Sequence, residues 1–210
     1  MKLKQIETEI LNRIYAVAEF PQAGVSRLLA VLPPYSAVLP AGIYLLGREN
    51  PTGEELQYAT ALTAFTLSAL IHRDVTEQRA FSLREGVLGG DYCLALALGF
   101  LPPSLSKTQG LGILKEFRRY NESCLTPTEP DYGSLLGKVA ASTAPATWEE
   151  TEKVRFTEAV AAVGRLWSEA FYHPETAGDE GFTRADAANY GHPFAPELRG
   201  FLEEYKGACH

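Results

Sequence analysis

The stretch LSALIHRDVTEQRAFSLREGVLGGDYCLALAL, Leu67 to Leu98, decides the fold class and carries most of the chemistry. Its apolar residues recur at helical spacing, with no alternation of apolar and polar positions and no hairpin turn. Just upstream, Thr52-Gly-Glu-Glu55 has the form of a capping box, in which a hydroxyl satisfies free N–H groups and a carboxylate reaches back. It predicts a long helix through Leu56, Leu62, Phe65, Leu67, Leu70 and Ile71 to about Glu77. Gln78 to Glu85 reads as a connection, and Val87 to Phe100 as a mostly apolar helix closed by Pro102-Pro103. Asp74 and Glu77 are three apart and share a helix face. Asp91 stands in Gly-Gly-Asp-Tyr inside an apolar run, where a carboxylate is costly unless it is paired or hydrogen-bonded. Two facing helices with inward carboxylates suit Mg²⁺, which takes one or two carboxylates and fills its octahedron with waters and phosphate oxygens.

The flanks read the same way. Leu3, Ile6, Ile10, Ile14, Val17 and Ala18 form one face of an amphipathic helix ended by Pro21. Arg27–Leu32 and Ala37–Leu46 are shorter helices, the second stopped by Gly47. Ser106–Gln109 is a candidate cap for a helix through Leu114, Phe117 and Tyr120. Pro127 and Pro130 mark a loop before a helix over Asp131–Ser142. Thr147-Trp-Glu-Glu150 reads as a further capping box, opening a helix with Val154, Val160, Val163, Trp167 and Phe171 on one side. From His173 glycines and prolines interrupt the chain, leaving one short helix, Pro196–Tyr205. The expectation is an all-α helical bundle over residues 1–172, with a C-terminal tail over 173–210.

Composition narrows the function. The chain has 210 residues and a formal net charge of −7, with no Lys/Arg block. A nucleic-acid partner needs a basic face, so none is expected. Cys93, Cys124 and Cys209 are too few and too scattered for a disulfide framework or a zinc site, which fits a reduced, cytoplasmic setting. Leu28–Gly47 carries no formal charge over a length that could span a bilayer. Its prolines Pro33, Pro34 and Pro40 favour buried core helices, and no membrane span is expected. His173, Asp179 and His192 lack a metal-ligand rhythm.

Two motifs in this order resemble the trans-isoprenyl diphosphate synthases, the polyprenyl synthetase family. Leu70-Ile71-His72-Arg73-Asp74-Val75-Thr76-Glu77 is similar to that family's first aspartate-rich motif, Leu-Ile-His-Asp-Asp-x-x-Asp. Val87-Leu88-Gly89-Gly90-Asp91-Tyr92-Cys93-Leu94-Ala95 is similar to its Gly-Asp-Tyr helix. Weaker likenesses lie at Pro40, at Lys138-Val139-Ala140 and at Gly164–Tyr172. The resemblance implies a truncated isoprenoid-synthase-like bundle. It marks His72, Arg73, Asp74 and Glu77 as the first motif, Asp91 and Tyr92 as the second-helix site, and Lys138 as a phosphate contact. It makes Asp74, Glu77 and Asp91 the metal-ligand candidates.

The departures fall on groups the chemistry needs. Arg73 puts a cation where the first aspartate of the motif would stand. The basic diphosphate-binding stretch is replaced by Pro34-Tyr-Ser-Ala-Val-Leu-Pro40, and the second aspartate-rich motif by His173-Pro-Glu-Thr176. Ionising an allylic diphosphate leaves a charged pyrophosphate, and such electrostatic stabilisation is usually the largest part of catalysis. The expectation is therefore a non-catalytic, regulatory small subunit that needs no cofactor of its own. Its partner would be the catalytic large subunit of a heterodimeric polyprenyl diphosphate synthase in quinone side-chain biosynthesis, with Mg²⁺ in the complex, or a second copy of the chain. Alternatives are an isoprenoid-binding pseudoenzyme or scaffold, tested by an open cavity between Leu67–Glu77 and Val87–Phe100, and a self-sufficient Mg²⁺-dependent prenyltransferase of altered chemistry. Within the family, the Gly-Asp-Tyr helix and its neighbour form dimers, which marks Val87–Phe100 and Leu111–Tyr120 as interface segments. Residue by residue, their apolar side chains are expected in the core. Likewise His72 is expected as a packed, hydrogen-bonded ring, and Arg73 with Glu77 as a surface ion pair.

Overall fold

A computed structural model describes residues 2–17, 22–45, 48, 50–77, 80–104, 107–124, 132–144, 147–172, 199–200 and 203–204. Among these the chain is an all-α bundle of eight helices and no strand: α1 (Leu3–Val17), α2 (Gln22–Val31), α3 (Leu39–Leu45), α4 (Gly53–Glu77), α5 (Leu83–Gly99), α6 (Lys107–Cys124), α7 (Tyr132–Thr143) and α8 (Glu150–Tyr172). The expected breaks at Pro21, Gly47, Pro127 and Pro130 and the candidate cap at Ser106 lie outside the described residues, as do 173–198 and most of the short closing helix.

α4 is the axle. It is buried at every position from Tyr58 to Ile71, because α1, α3, α5 and α6 surround it. A helix apolar all round has no solvent side to offer, as its sequence implies. Thr60 and Thr66 sit in this core at little cost, since their hydroxyls donate to the Leu56 and Leu62 carbonyls. Phe65 of α4 stacks on Phe117 of α6 with ring centroids 4.9 Å apart.

Capping chemistry sets the starts. At α4 the Thr52 hydroxyl accepts from the Glu55 N–H at 3.2 Å, and the Glu55 carboxylate accepts from the Thr52 N–H at 2.8 Å. Burial pushes the Glu55 carboxyl up, but bonds from Thr52 and Arg48 outweigh it and hold the group below its ordinary value. α5 begins at Leu83 rather than Val87, because Ser82 and Glu85 form a second capping box inside the expected connection. α8 begins at Glu150, and its reach-back contact runs from Glu152 to the Glu149 N–H, two residues beyond the expected Thr147–Glu150 box. α2 starts at Gln22, five residues before Arg27, and Val154 of α8 is exposed while Phe156 takes the core position.

Glycine decides how closely the helices approach. α5 lies on α4 through Gly86 and Gly90: a Cβ on Gly90 would fall 2.2 Å from the His72 ring, and one on Gly86 2.5 Å from Val75 Cγ2. α7 and α8 touch backbone to backbone, with the place of a Gly164 Cβ only 2.6 Å from Gly133 Cα. Leu28 and Ala37–Ile43 of the uncharged run are core residues. The Trp167 indole N–H donates to Ser36 Oγ at 2.7 Å and the Tyr132 hydroxyl to the Ser36 carbonyl at 3.1 Å, tying α8 and α7 to that segment. Tyr35 enters it in the left-handed region at φ 59°. No helix among the described residues is long and apolar enough to cross a membrane.

Candidate functional site

The residues of the two motifs meet at the C-terminal end of α4, where α5 crosses it. His72 is the centre. Its Nε2 lies 3.3 Å from Asp91 Oδ1 on α5, and its Nδ1 lies 3.3 Å from Asn121 Nδ2 on α6. In a neutral ring the Asn121 amide donates to Nδ1 and the Nε2–H donates to Asp91. Both ring nitrogens are thus held by protein partners, and neither is left to take a substrate proton. The ring can lie this close to α5 only because residue 90 has no side chain.

Asp74 is 2% exposed, and its Oδ2 accepts from the Ala80 N–H at 3.0 Å and the Phe81 N–H at 2.9 Å. The carboxylate therefore fastens the loop between α4 and α5, satisfying two buried backbone donors. Phe81, so positioned, packs against α2, where a Cβ on Gly24 would fall 2.3 Å from its ring. Asp91 differs from its expected place. Its side chain is 66% exposed, on the outer side of α5, rather than enclosed in an apolar run. Arg73 is partly buried on α4, and Tyr92 is exposed on α5. Glu77 closes α4, but its side chain lies outside the described residues, and so does the expected Arg73–Glu77 pair.

Of the three candidate metal ligands, Asp74 and Asp91 are each engaged by a protein partner. The ion keeps several waters and needs carboxylates converging on one point. Asp74 faces the Ala80 and Phe81 N–H groups in the interior, and Asp91 faces His72 on the exterior. Among the described residues no three His, Cys, Asp or Glu side chains come together as a metal site. Lys138 is exposed on α7 and lines a cavity of about 330 Å³ with Gly112, Ile113, Glu116, Leu135 and Val139, while the acidic residues sit on α4 and α5. The motif residues of α4 and α5 are brought together; Lys138 belongs to a different groove.

The outer face of α5 is the more informative feature. Gly86, Gly89, Gly90, Cys93 and Ala97 point inward. Leu83, Val87, Leu88, Tyr92, Leu94 and Leu98 point outward, from 37% to 59% exposed. For Val87, Leu88, Leu94 and Leu98 the expected place is the core, and the reason for the reversal is steric: only the small residues allow α5 so close to α4. Leu111 of α6 is also exposed, at 57%, whereas Ile113, Phe117 and Tyr120 of the same helix are buried. The small-residue stripe at positions 86, 89, 90, 93 and 97 was the signal in the sequence that α5 packs by its small side. Burial raises the Cys93 thiol pKa to about 12, so it stays protonated within that seam.

Compared with protein-family models, with curated proteins and with solved structures, the chain matches none.

Proposed function

We propose that the chain is a non-catalytic subunit of a heteromeric trans-polyprenyl diphosphate synthase, docking to a catalytic large subunit through the outer face of α5. The observation that carries this reading is the helix turned inside out, with six large apolar side chains in water. A contiguous exposed apolar surface of this kind marks an interaction site. The motif groups support the non-catalytic part. Asp74 is spent on the loop and Asp91 on His72, so among the described residues neither carboxylate is left to clamp a pyrophosphate leaving group. In this reading Mg²⁺ and the isoprenoid diphosphates are handled by the large subunit, and the complex works in the cytoplasm.

The test is co-expression with the catalytic subunit of a long-chain polyprenyl diphosphate synthase. The two chains are expected to co-purify, and Leu88→Glu with Leu94→Glu is expected to abolish the complex while leaving the helical circular dichroism of the chain intact. Failure to co-purify with any such subunit, or a complex indifferent to both substitutions, overturns the reading.

A second reading has its own support. α5 meets α4 closely where Gly86 and Gly90 face Val75 and His72, whereas the α6–α7 cavity has an apolar wall of Ile113, Leu135 and Val139 beside Lys138. Its volume falls at the low end of small-ligand sites, which run upward from about 300 Å³. A role in binding an isoprenoid would use this groove rather than the motif helices.

A further inference from the structure

A second cavity, of about 380 Å³, lies at the N-terminal end of α4, the opposite end from His72. Among the described residues its polar wall is made by Tyr44, Arg48, Glu54, Glu55, Tyr58 and Ser104. The charges in this wall are answered within the protein. Arg48 Nε donates to Glu55 Oε1 at 2.7 Å, and a second guanidinium N–H donates to the Tyr44 carbonyl. The same guanidinium lies over the Tyr44 ring, 4.7 Å from its centroid. Glu54 accepts from the Ser104 hydroxyl at 2.6 Å and stands in the first turn of α4, where the helix dipole favours a carboxylate.

One polar group in the wall is not answered. Tyr58 is 3% exposed, and its hydroxyl has no hydrogen-bond partner among the described residues. Burial holds this phenol well above its ordinary pKa, so it keeps its proton and can both donate and accept. Ile113 and Ser142 line both this cavity and the apolar one between α6 and α7. Ser142 makes no demand at that junction, because its hydroxyl donates to the Val139 carbonyl at 2.7 Å. We propose that the cavity binds an uncharged amphiphile, an alcohol whose hydroxyl pairs with Tyr58 and whose hydrocarbon body runs past Ile113 into the α6–α7 cavity. A carboxylate or diphosphate head would meet Glu54 and Glu55, and an ammonium would be set against Arg48 and the α4 dipole. The site is thus selected by its head group. It rests on neither reading above, since the isoprenoid reading concerns the α6–α7 cavity alone.

Three probes with one chain and different heads test the site: 1-octanol, octylammonium and octanoate, titrated into the purified full chain and followed by saturation-transfer NMR. Octanol is expected to bind, with both charged analogues weaker by about tenfold or more, because each brings a charge without a partner. Tyr58→Phe is expected to weaken octanol by about fivefold, the worth of one neutral hydrogen bond. The urea midpoint of the same variant should equal or exceed that of the wild type, since it loses a buried hydroxyl that had no partner. A hydroxyl with a purely structural role would lower the midpoint instead. No binding of octanol up to its solubility limit, a charged analogue that binds as tightly, unchanged octanol affinity in Tyr58→Phe, or a lowered midpoint overturns the proposal. With neither a large subunit nor a diphosphate present, these results are separate from the co-purification result.

Discussion

Replacing Gly164 by alanine is expected to lower the free energy of unfolding by about 3 kcal/mol, at the upper end of overpacking costs. The added Cβ would lie 2.6 Å from Gly133 Cα and 2.8 Å from both Gly133 N and Tyr132 O. All three are backbone atoms, so no rotamer change relieves the clash and α7 must move away from α8. That movement also disturbs Tyr132 and Trp167, whose rings are 4.4 Å apart and which both bond Ser36. Gly89→Ala is the matched control. Its Cβ meets only Ile71 Cγ2, at an ordinary 3.7 Å, so stability should hold or rise by up to about 1 kcal/mol from helix propensity. Urea unfolding followed by circular dichroism measures both. A Gly164→Ala midpoint equal to that of the wild type would contradict the close α7–α8 contact.

The second large effect belongs to Asp74. Asp74→Ala is expected to cost about 3 kcal/mol, because the Ala80 and Phe81 N–H groups lose a charged acceptor inside the protein. Asp74→Asn, whose amide oxygen can still accept from both, should cost about half as much. A carboxylate kept for metal binding behaves in the opposite way. Its removal leaves the metal-free fold as stable or more stable, since clustered like charges repel. The same unfolding experiment, in chelator, therefore separates the two roles: a stable Asp74→Ala variant would argue for the metal and against the loop.

Much of the fold was legible because helical periodicity and caps are local signals. The Thr52–Glu55 box, the apolar run to about Glu77 and the stop after Phe100 are set by residues within a few positions of each other. The Ser82–Glu85 box was equally local and was passed over as connection. The orientation of α5 was harder to read, since Val87, Leu88, Leu94 and Leu98 are apolar enough for a core. Only the alignment of Gly86, Gly90, Cys93 and Ala97 on the other side says which face packs, and that requires weighing size above hydropathy. The site was partly legible for the same reason. His72 as a packed, hydrogen-bonded ring agrees with its contacts, but its partner Asn121 comes from a helix 49 residues away in sequence. No spacing rule reaches that far. Nor does sequence reveal that Asp74 is aimed at its own loop, since a carboxylate at the end of a helix looks the same whether it holds a metal or backbone N–H groups.

The most direct measurement of the central claim, that this chain serves prenyl transfer without performing it, is incorporation of labelled isopentenyl diphosphate into long-chain product with Mg²⁺ and an allylic diphosphate. It should be run with the chain alone, with the catalytic large subunit alone, and with both. The account predicts no product from the chain alone, and more or longer product from the pair than from the large subunit by itself. Turnover by the chain alone, abolished by Asp74→Asn in a protein that remains folded, would contradict it.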